Sequence, residues 1–303
     1  MIVAGKIWLV HEYTGTVLQA IEGVNLVTLH PWYVSLRQSM VVDPTMNDPR
    51  ETRRPGTRLG WPTSWIFNTA IGGGQADFDK PIENLTPRDR AMLYAFFNQK
   101  GHIEELIHAF GKLWPDPTSI HGTMIIDVGC GPFTGGLALA NIVGDAAKFR
   151  YFGVDRAKSM CELGQELAQG ARDAGALHSQ TEIQFVAELD QLPVASLCLE
   201  PIVIVLSYLL ASDTLNVDEM FDGLLRVFGK KSLSPVSVLY TNTARADARK
   251  KYPQLRQRLV EAEFQIVVEA EETLTEGSKA RSVHYALFHR PAPAELSMSI
   301  FKP

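Results

Sequence analysis

The segment 124–136, which reads MIIDVGCGPFTGG, constrains the fold of this 303-residue chain more than any other part of the sequence. Its apolar start predicts a buried strand, and the turn that follows carries Gly129 and Gly131. Glycine at these positions lets a ligand approach bare backbone where a side chain would collide. A helix over 134–143 should follow, with its first amides pointing into the same crevice. The segment therefore predicts a nucleotide-cofactor loop.

Other interpretations of this loop stay open. A dinucleotide-binding fold also places glycines after its first strand, but its fingerprint reads Gly-x-Gly-x-x-Gly. The sixth position here is Thr134, and Asp127, two places before the first glycine, is no part of that fingerprint. A tight strand-to-helix turn that holds no ligand is another alternative, because short glycine motifs recur by chance in a chain with 23 glycines.

The segment resembles the first motif of class I S-adenosylmethionine-dependent methyltransferases, hydrophobic-hydrophobic-Asp-hydrophobic-Gly-x-Gly. The resemblance implies that Asp127, Gly129, Cys130 and Gly131 lie beside the methionine end of the cofactor. Cys130 as a nucleophile is an alternative, but a small residue that allows close packing is the favoured interpretation.

A second apolar stretch, 149–155, ends in the carboxylate of Asp155, 24 residues beyond Gly131. A carboxylate there can accept both ribose hydroxyls of a nucleotide, as the ribose-binding acid of dinucleotide folds does at a similar distance. Asp155 is therefore predicted to bind the cofactor, with Arg156 beside it. The alternative is that Asp155 caps the helix beginning near Lys158.

The stretch 182–193 predicts a third strand followed by a turn and Leu-Pro. It resembles the third motif of the methyltransferase family, in which an acid meets the adenine amino group. Glu188 occupies that place and Leu189 follows it, although the family more often has Asp, so Asp190 is the fallback.

Two further apolar stretches, 201–206 and 236–241, predict strands whose carboxyl ends border the ligand crevice of an open parallel sheet. Ser207 is predicted to face the cofactor's methyl group. The residues after 206 match neither the Pro-Pro box of DNA amino-methylases nor the Pro-Cys of cytosine-C5 enzymes. The residues predicted to contact the methyl acceptor are Tyr208, Thr241 and Asn242. The alternative for Tyr208 is that it is an ordinary aromatic residue at a strand end.

The order of elements predicts the fold class. Strands and helices alternate from about residue 120, and stretches at 264–274 and 282–289 close the chain as a hairpin. This layout matches the doubly wound, Rossmann-like α/β sheet of the family, with seven mostly parallel strands and an antiparallel last strand. We therefore predict a methyltransferase domain over 120–303 and an N-terminal module, mixed or helical, over 1–119.

The N-terminal module carries no recognisable motif. Its clearest element is a helix that begins at Thr86, with Pro87 first and Asp89 completing a capping box, and Gly101 is a candidate kink. The glycines at 72–74 predict a flexible joint. The module is interpreted either as a lid that shapes the acceptor pocket or as a packing or dimerisation layer.

Composition and net charge limit the classes of protein and ligand that this chain can represent. The longest apolar run, 201–211, is shorter than the roughly 18 to 20 residues that span a bilayer. Cys130, Cys161 and Cys198 have no zinc spacing and favour a reducing cytosol, so a cytoplasmic protein without a metal site is predicted. The net charge of −5 argues against broad nucleic-acid binding, yet the basic cluster from Arg245 to Arg258 can hold phosphates. A solvated charged surface is the alternative for that cluster.

Together these features predict an S-adenosylmethionine-dependent methyltransferase whose acceptor is a small molecule, RNA or protein. No catalytic residue is recognisable, but positioning alone can supply on the order of 7 to 11 kcal/mol of acceleration. One alternative is a protein that keeps the fold and the cofactor but serves as a sensor or assembly subunit. An NAD-dependent oxidoreductase is disfavoured by Thr134.

Overall fold

In the part of the chain that the structure describes, nine strands form one mostly parallel sheet. This computed structural model describes residues 28–51, 54–193, 200–228, 234–276 and 279–293, together with the strand residues 20–21 and 24–25. The strands of the sheet are β1 (Ala20–Ile21), β2 (Val24–Asn25), β5 (Met124–Val128), β6 (Arg150–Val154), β7 (Glu182–Val186), β8 (Ile202–Ser207), β9 (Val236–Thr243), β10 (Gln265–Glu276) and β11 (Lys279–Arg290), while β3 (Thr57–Arg58) and β4 (Trp61–Pro62) pair with each other.

The strand order is β1-β2-β10-β11-β9-β8-β5-β6-β7. Strands β9, β8, β5, β6 and β7 pair in parallel, and β11 runs antiparallel to both β10 and β9. The predicted fold class, a Rossmann-like sheet with an antiparallel last strand, is therefore confirmed. Strands β1 and β2 extend the edge beyond the seven predicted strands, since β2 joins β10.

The helices surround this sheet, and π-helical turns at 38–42, 66–70 and 95–99 interrupt those of the N-terminal module. The helix after the glycine loop has the predicted bounds. The helices are α1 (Pro31–Arg37), α2 (Asp43–Met46), α3 (Thr63–Trp65), α4 (Pro87–Tyr94), α5 (Lys100–Leu113), α6 (Thr134–Val143), α7 (Lys158–Asp173), α8 (Val217–Phe228) and α9 (Tyr252–Glu261).

Hydrophobic side chains cover both faces of the sheet. Along β5, Ile125 packs with α5, α6 and α7 on one face, whereas its neighbour Ile126 packs with α8 and α9 on the other. Successive side chains of a strand point to opposite faces, so a strand buried on both sides reads as a continuous apolar run. Asp127 pairs with Gly153 of β6 and Val205 of β8, which places β5 in the middle of the five parallel strands.

The N-terminal module packs directly against the sheet domain. Its buried residues Tyr33, Ile66 and Leu93 belong to the same hydrophobic cluster as the inner faces of α6 and α7. The carboxylate of Asp79 also accepts the amides of Lys158 at 2.8 Å and Ser159 at 2.9 Å, which are the first two residues of α7. The module therefore supplies the N-terminal cap of a helix in the sheet domain.

The helix predicted at Thr86 is present, and its capping box is formed: the Thr86 amide donates to Asp89 at 2.8 Å, and the Asp89 amide donates to the Thr86 hydroxyl at 3.2 Å. The kink predicted at Gly101 is wrong, because the irregular turn lies earlier, at Ala95–Gln99. Glycine at 101 allows a close approach instead, since an added Cβ would lie 2.6 Å from the Arg281 guanidinium.

No helix within the described ranges combines the length and apolarity needed to cross a bilayer. Within those same ranges, His, Cys, Asp and Glu side chains form no group of three that could hold a metal ion.

Candidate active site

The loop after β5 carries its backbone into the crevice at the carboxyl ends of β5, β6 and β8. Gly129 and Gly131 have φ angles of 70° and 53°, in the left-handed region where glycine is favoured. The Gly129 amide donates to the Val154 carbonyl at 2.7 Å, which holds the loop against the end of β6. A Cβ added at Gly129 would lie 2.8 Å from a methyl carbon of Leu209. The turn therefore requires glycine at 129 on both conformational and steric grounds.

The two glycines that follow Thr134 are required by packing. A Cβ added at Gly135 would lie 2.3 Å from the Asp127 carboxylate, and one added at Gly136 would lie 1.8 Å from the Phe133 ring. Phe133 is itself in the left-handed region, with φ of 65°, where it turns the chain into α6. The start of α6 is therefore shaped around a buried acid and a buried ring.

The buried acid, Asp127, lies near the end of β5 and lines the small cavity described below. Its Oδ2 atom accepts the Tyr151 hydroxyl at 2.6 Å. Burial raises the pKa of Asp127 to about 7, while the bonds from Tyr151 and the Gly135 amide oppose the rise. Asp127 therefore titrates near neutral pH in the folded protein.

The carboxylate of Asp155 fastens the glycine loop to the end of β6. One oxygen accepts the Gly131 amide and the other accepts the Ala157 amide, both at 2.9 Å. Burial raises the pKa of Asp155, and the charge of Arg156 opposes the rise. A carboxylate offers about four acceptor positions, so two remain for the hydroxyls of a ligand. Asp79 accepts the first two amides of α7, while Asp155 accepts the amide of Ala157 just before the helix.

A small cavity of about 10 Å³ lies against the loop, with room for roughly one water molecule. The hydroxyl of Thr134 lies in its wall and, among the described residues, has no hydrogen-bond partner although Thr134 is only 6% exposed. The Tyr94 ring and the Leu209 side chain pack against Gly131 and Gly129 beside this small cavity. Its lining is formed by Tyr94, His102, Asp127, Gly129, Cys130, Thr134, Gly135 and Ser207.

The thiol of Cys130 is used for packing. Its sulfur lies 3.3 Å from the Gly131 carbonyl, and a Cβ added at Gly153 would lie 2.9 Å from it. Burial raises the pKa of Cys130, as does the negative charge of Asp155. A thiol that stays protonated is a poor nucleophile, so the geometry favours the packing interpretation. Cys198 lies outside the described residues.

The residues expected at the adenine end lie at the surface. Glu188 is exposed in the turn after β7, and Leu189 packs toward α8, where a Cβ added at Gly223 would lie 3.0 Å from it. Arg156 is exposed and lies 3.3 Å from the Thr214 hydroxyl. The walls of the small cavity are formed by other residues, so none of these three lines it.

The carboxyl ends of β8 and β9 lie side by side as predicted, but the side chains at these ends have different surroundings. Ser207 lines the small cavity and accepts the Thr241 hydroxyl at 3.0 Å. Thr241 and Asn242 are completely buried, and the Asn242 amide donates to the Ala248 carbonyl at 3.0 Å. Thr241 and Asn242 are therefore buried and held by hydrogen bonds within the protein, and neither lines the large cavity. Thr243 faces the larger opening instead.

A large cavity of about 490 Å³ opens at the ends of β8, β9 and β11. Tyr208 lies in its wall, with φ of 58°. Glu105 and Arg281 also line this cavity but were not predicted from the sequence, because α5 and β11 are distant along the chain. The lining is formed by Glu105, Tyr208, Thr243, Ala244, Arg245, Ala280, Arg281 and Ser282.

A stack of aromatic rings separates the small cavity from the large cavity. The Tyr208 ring lies on the His102 ring with centroids 3.8 Å apart, and His102 Nδ1 lies 3.1 Å from the Tyr94 hydroxyl. Burial lowers the pKa of His102 to about 3, with a further contribution from Arg281, so His102 is neutral at physiological pH. Tyr208 therefore lines the large cavity and stacks on His102, which lines the small cavity.

The basic cluster after β9 is matched by acids. Arg245 pairs with Asp247 at 2.7 Å, and Arg258 pairs with Asp222 at 2.6 Å. Two other arginines of the cluster also have carboxylate partners: Arg249 pairs with Glu271 and Arg256 with Glu269. Much of the positive charge predicted to hold phosphates is thus balanced locally, which favours the solvated-surface interpretation.

Comparison with known proteins gives structural likenesses only. No protein-family model matches the chain, and no curated protein sequence matches it. A magnesium protoporphyrin IX methyltransferase from Synechocystis with bound S-adenosylmethionine is 13% identical with a TM-score of 0.40, over 74% of this chain and 93% of that one. An N-methyltransferase from Bradyrhizobium japonicum in complex with S-adenosylhomocysteine is 14% identical with a TM-score of 0.41, over 63% and 87%. A precorrin-6y methyltransferase from Geobacter metallireducens is 8% identical with a TM-score of 0.40, over 70% and 94%.

Proposed function

We propose that this chain is an S-adenosylmethionine-dependent methyltransferase. The observation that carries the proposal is the bond between the Asp155 carboxylate and the Gly131 amide, 2.9 Å long, at the carboxyl ends of adjacent parallel strands. This bond joins the glycine loop to the acid proposed to bind the ribose, at the edge of the sheet where such folds bind ligands. The unpartnered hydroxyl of Thr134, among the described residues, adds a polar group suited to the amino-acid end of the cofactor.

Each part of the cofactor has residues that fit it. Gly129, Gly131 and Thr134 would hold the amino-acid end, because their backbone and hydroxyl groups line the small cavity or its floor. Asp155 would accept the ribose hydroxyls, and Glu188 would receive the adenine amino group at the outer end of the crevice. When bound, the cofactor supplies an electrophilic methyl group on a positively charged sulfur.

The N-terminal module is proposed to act as a lid over this crevice. The Tyr94 ring lies 3.6 Å from the position of a Cβ added at Gly131, and 3.1 Å from that of one added at Gly74. Tyr94 therefore fills the space between the glycine loop of the sheet domain and the glycine turn of the module. A ligand can enter the glycine loop only if Tyr94 and Leu209 move away from Gly131 and Gly129. The turn at 72–74 lies next to Tyr94 and would allow this movement.

Methyl transfer is proposed to take place beside Ser207 and Tyr208. Ser207 lines the small cavity, Tyr208 lines the large cavity, and the two are consecutive residues at the end of β8. The large cavity has the volume of a small-molecule site, which favours an enzyme over a sensor that binds only the cofactor.

The test is transfer itself. Purified protein is incubated with cell extract and cofactor labelled in the methyl group, and the fractions are separated into RNA, protein and small molecules. Label in one fraction, together with accumulation of S-adenosylhomocysteine, is the expected result. Binding of the cofactor without either product would instead make the protein a sensor or assembly subunit.

A further inference from the structure

Glu105 is a buried carboxylate in the wall of the large cavity. It is 2% exposed, and its Oε2 atom has no hydrogen-bond partner among the residues that the structure describes. An unpartnered polar atom in a protein interior is costly, and the Glu105 side chain lies in the wall of a cavity from which a bound molecule can supply the missing partner. Glu105 lies on α5, which means that the N-terminal module contributes directly to this cavity.

The groups around Glu105 hold it in place without neutralising it. Tyr208 lies in the same cavity wall as Glu105, and Arg281 Nε lies 3.7 Å from Oε1. Arg281 also pairs with Glu104, whose carboxylate is 2.7 Å from Lys100. One positive guanidinium is therefore shared between two buried acids.

Burial has the largest effect on the ionisation of Glu105. It raises the pKa of Glu105 to about 7, opposed by Tyr208 and Arg281 and reinforced by Glu104. A group with such a pKa is present in both protonation states at neutral pH, which suits proton transfer. The titratable or charged groups facing Glu105 or its cavity are Tyr94, His102, Glu104, Tyr208, Arg245 and Arg281.

The position of Glu105 along α5 connects the two cavities. His102, which lines the small cavity, precedes Glu105 by three residues, a rise of about 4.5 Å along a helix. Tyr208 links the two cavities, because its ring stacks on His102 while Tyr208 itself lies in the wall of the large cavity beside Glu105. Ser207, the residue before Tyr208, lines the small cavity.

We propose that Glu105 is the proton acceptor of the transfer reaction, and that the methyl acceptor is a small molecule whose nucleophile is an O–H or N–H group. This inference rests on the proposed function. The acceptor oxygen or nitrogen forms a bond to the methyl carbon, and the carbon–sulfur bond breaks with its electron pair left on sulfur. The proton of the acceptor passes to the Glu105 carboxylate, which becomes a carboxylic acid.

The small-molecule class follows from the size and the charges of the site. The cavity volume of about 490 Å³ lies within the range of small-molecule sites, about 300 to 1,000 Å³. The arginines of the neighbouring cluster that would hold a nucleic-acid backbone have carboxylate partners, as Arg245 has in Asp247.

The experiment uses the full chain and three variants. Glu105→Gln keeps the size of the side chain but cannot accept the proton, and Glu105→Asp keeps a carboxylate. Glu272→Gln is the matched control, because Glu272 also packs against α5, 2.9 Å from His108, but lies away from the large cavity. Each protein is first titrated with S-adenosylmethionine in a calorimeter, where equal affinities are expected.

Infrared difference spectra over pH 5 to 9 then give a readout that does not depend on turnover. In the wild type and Glu272→Gln, the protonated carboxyl absorption of both Asp127 and Glu105 should disappear near pH 7. Glu105→Gln should lose the Glu105 part of this absorption and keep the Asp127 part. In transfer of labelled methyl groups to the small-molecule fraction of an extract, the wild-type rate should rise through the same pH range. Glu105→Gln should lower that rate by about 10²- to 10⁴-fold and remove its pH dependence, with partial recovery in Glu105→Asp.

The possible failures are distinct. A wild type that does not bind the cofactor contradicts the proposed function. A wild type that binds and transfers label at a rate unchanged in Glu105→Gln overturns the role of Glu105. Label that enters RNA or protein instead overturns the small-molecule class.

Discussion

Asp155 and Gly131 are joined across the crevice by a bond of 2.9 Å from the Gly131 amide to the Asp155 carboxylate. The residues follow different strands, and the bond fixes the distance between the glycine cradle and the acid predicted to hold a ribose. In this arrangement Asp155 both shapes the loop and offers its remaining acceptor positions to a ligand. The two roles can be separated experimentally.

Replacement of Asp155 with Ala is expected to weaken binding of S-adenosylmethionine at least tenfold. It removes hydrogen bonds to a charged acceptor, each worth about 1.5 to 3 kcal/mol, and it releases the loop. Calorimetry measures the change. Asp173→Ala is the matched control, because Asp173 is exposed at the far end of α7. Equal affinity in a folded Asp155→Ala variant would reduce Asp155 to a structural link.

Replacement of Gly129 with Ala is expected to lower both stability and cofactor affinity. The new Cβ would lie 2.8 Å from Leu209 in backbone with φ of 70°. Gly122→Ala is a matched control, since φ there is 73° and nothing lies within 4 Å of the added Cβ. The left-handed backbone costs roughly 1 to 2 kcal/mol in either variant. Urea unfolding should show a greater loss for Gly129→Ala, and similar losses would mean that Leu209 moves aside freely.

Replacement of Tyr208 with Ala is expected to lower turnover more than cofactor affinity, because the side chain lies between the large cavity and His102. Tyr208→Phe keeps the ring stack and loses only the hydroxyl, so it should bind the cofactor like the wild type. Comparison of the transfer rate with the calorimetric affinity separates these effects. An equal loss in rate and affinity for the Ala variant would assign Tyr208 to the cofactor site.

Cofactor binding is expected to slow amide hydrogen exchange in the 72–75 turn and at the end of α4, because the lid closes on the ligand. These segments meet at Tyr94 and Gly74. Mass spectrometry of peptides with and without S-adenosylmethionine measures the change, and α9, on the opposite face of the sheet, serves as an internal reference. Unchanged exchange in the turn would leave the module a static packing layer.

The sequence predicted those parts of the fold that depend on local patterns. The apolar run before Asp127 and the helix over 134–143 are decided by neighbouring residues, and both have the predicted places. The position of Asp155 beside Gly131 follows from the parallel pairing of β5 and β6. These features follow from strand period, helix caps and the topology of parallel sheets.

The rest of the site depends on contacts between distant segments. Glu105 and Arg281 approach each other from α5 and β11, and no local pattern indicates that a helix acid will meet a residue of the last strand. The kink predicted at Gly101 was wrong for the same reason, because glycine there leaves space for the Arg281 guanidinium. Thr241 and Asn242 were placed at the correct strand end, but their inward orientation is set by bonds to Ser207 and Ala248.

Calorimetric titration of the purified wild-type chain with S-adenosylmethionine tests the central claim most directly. We expect saturable binding. S-adenosylhomocysteine should compete for the same site and raise the unfolding temperature. Absence of both heat and thermal shift at millimolar cofactor would contradict it, because the loop held by Asp155 would then be a structural turn only.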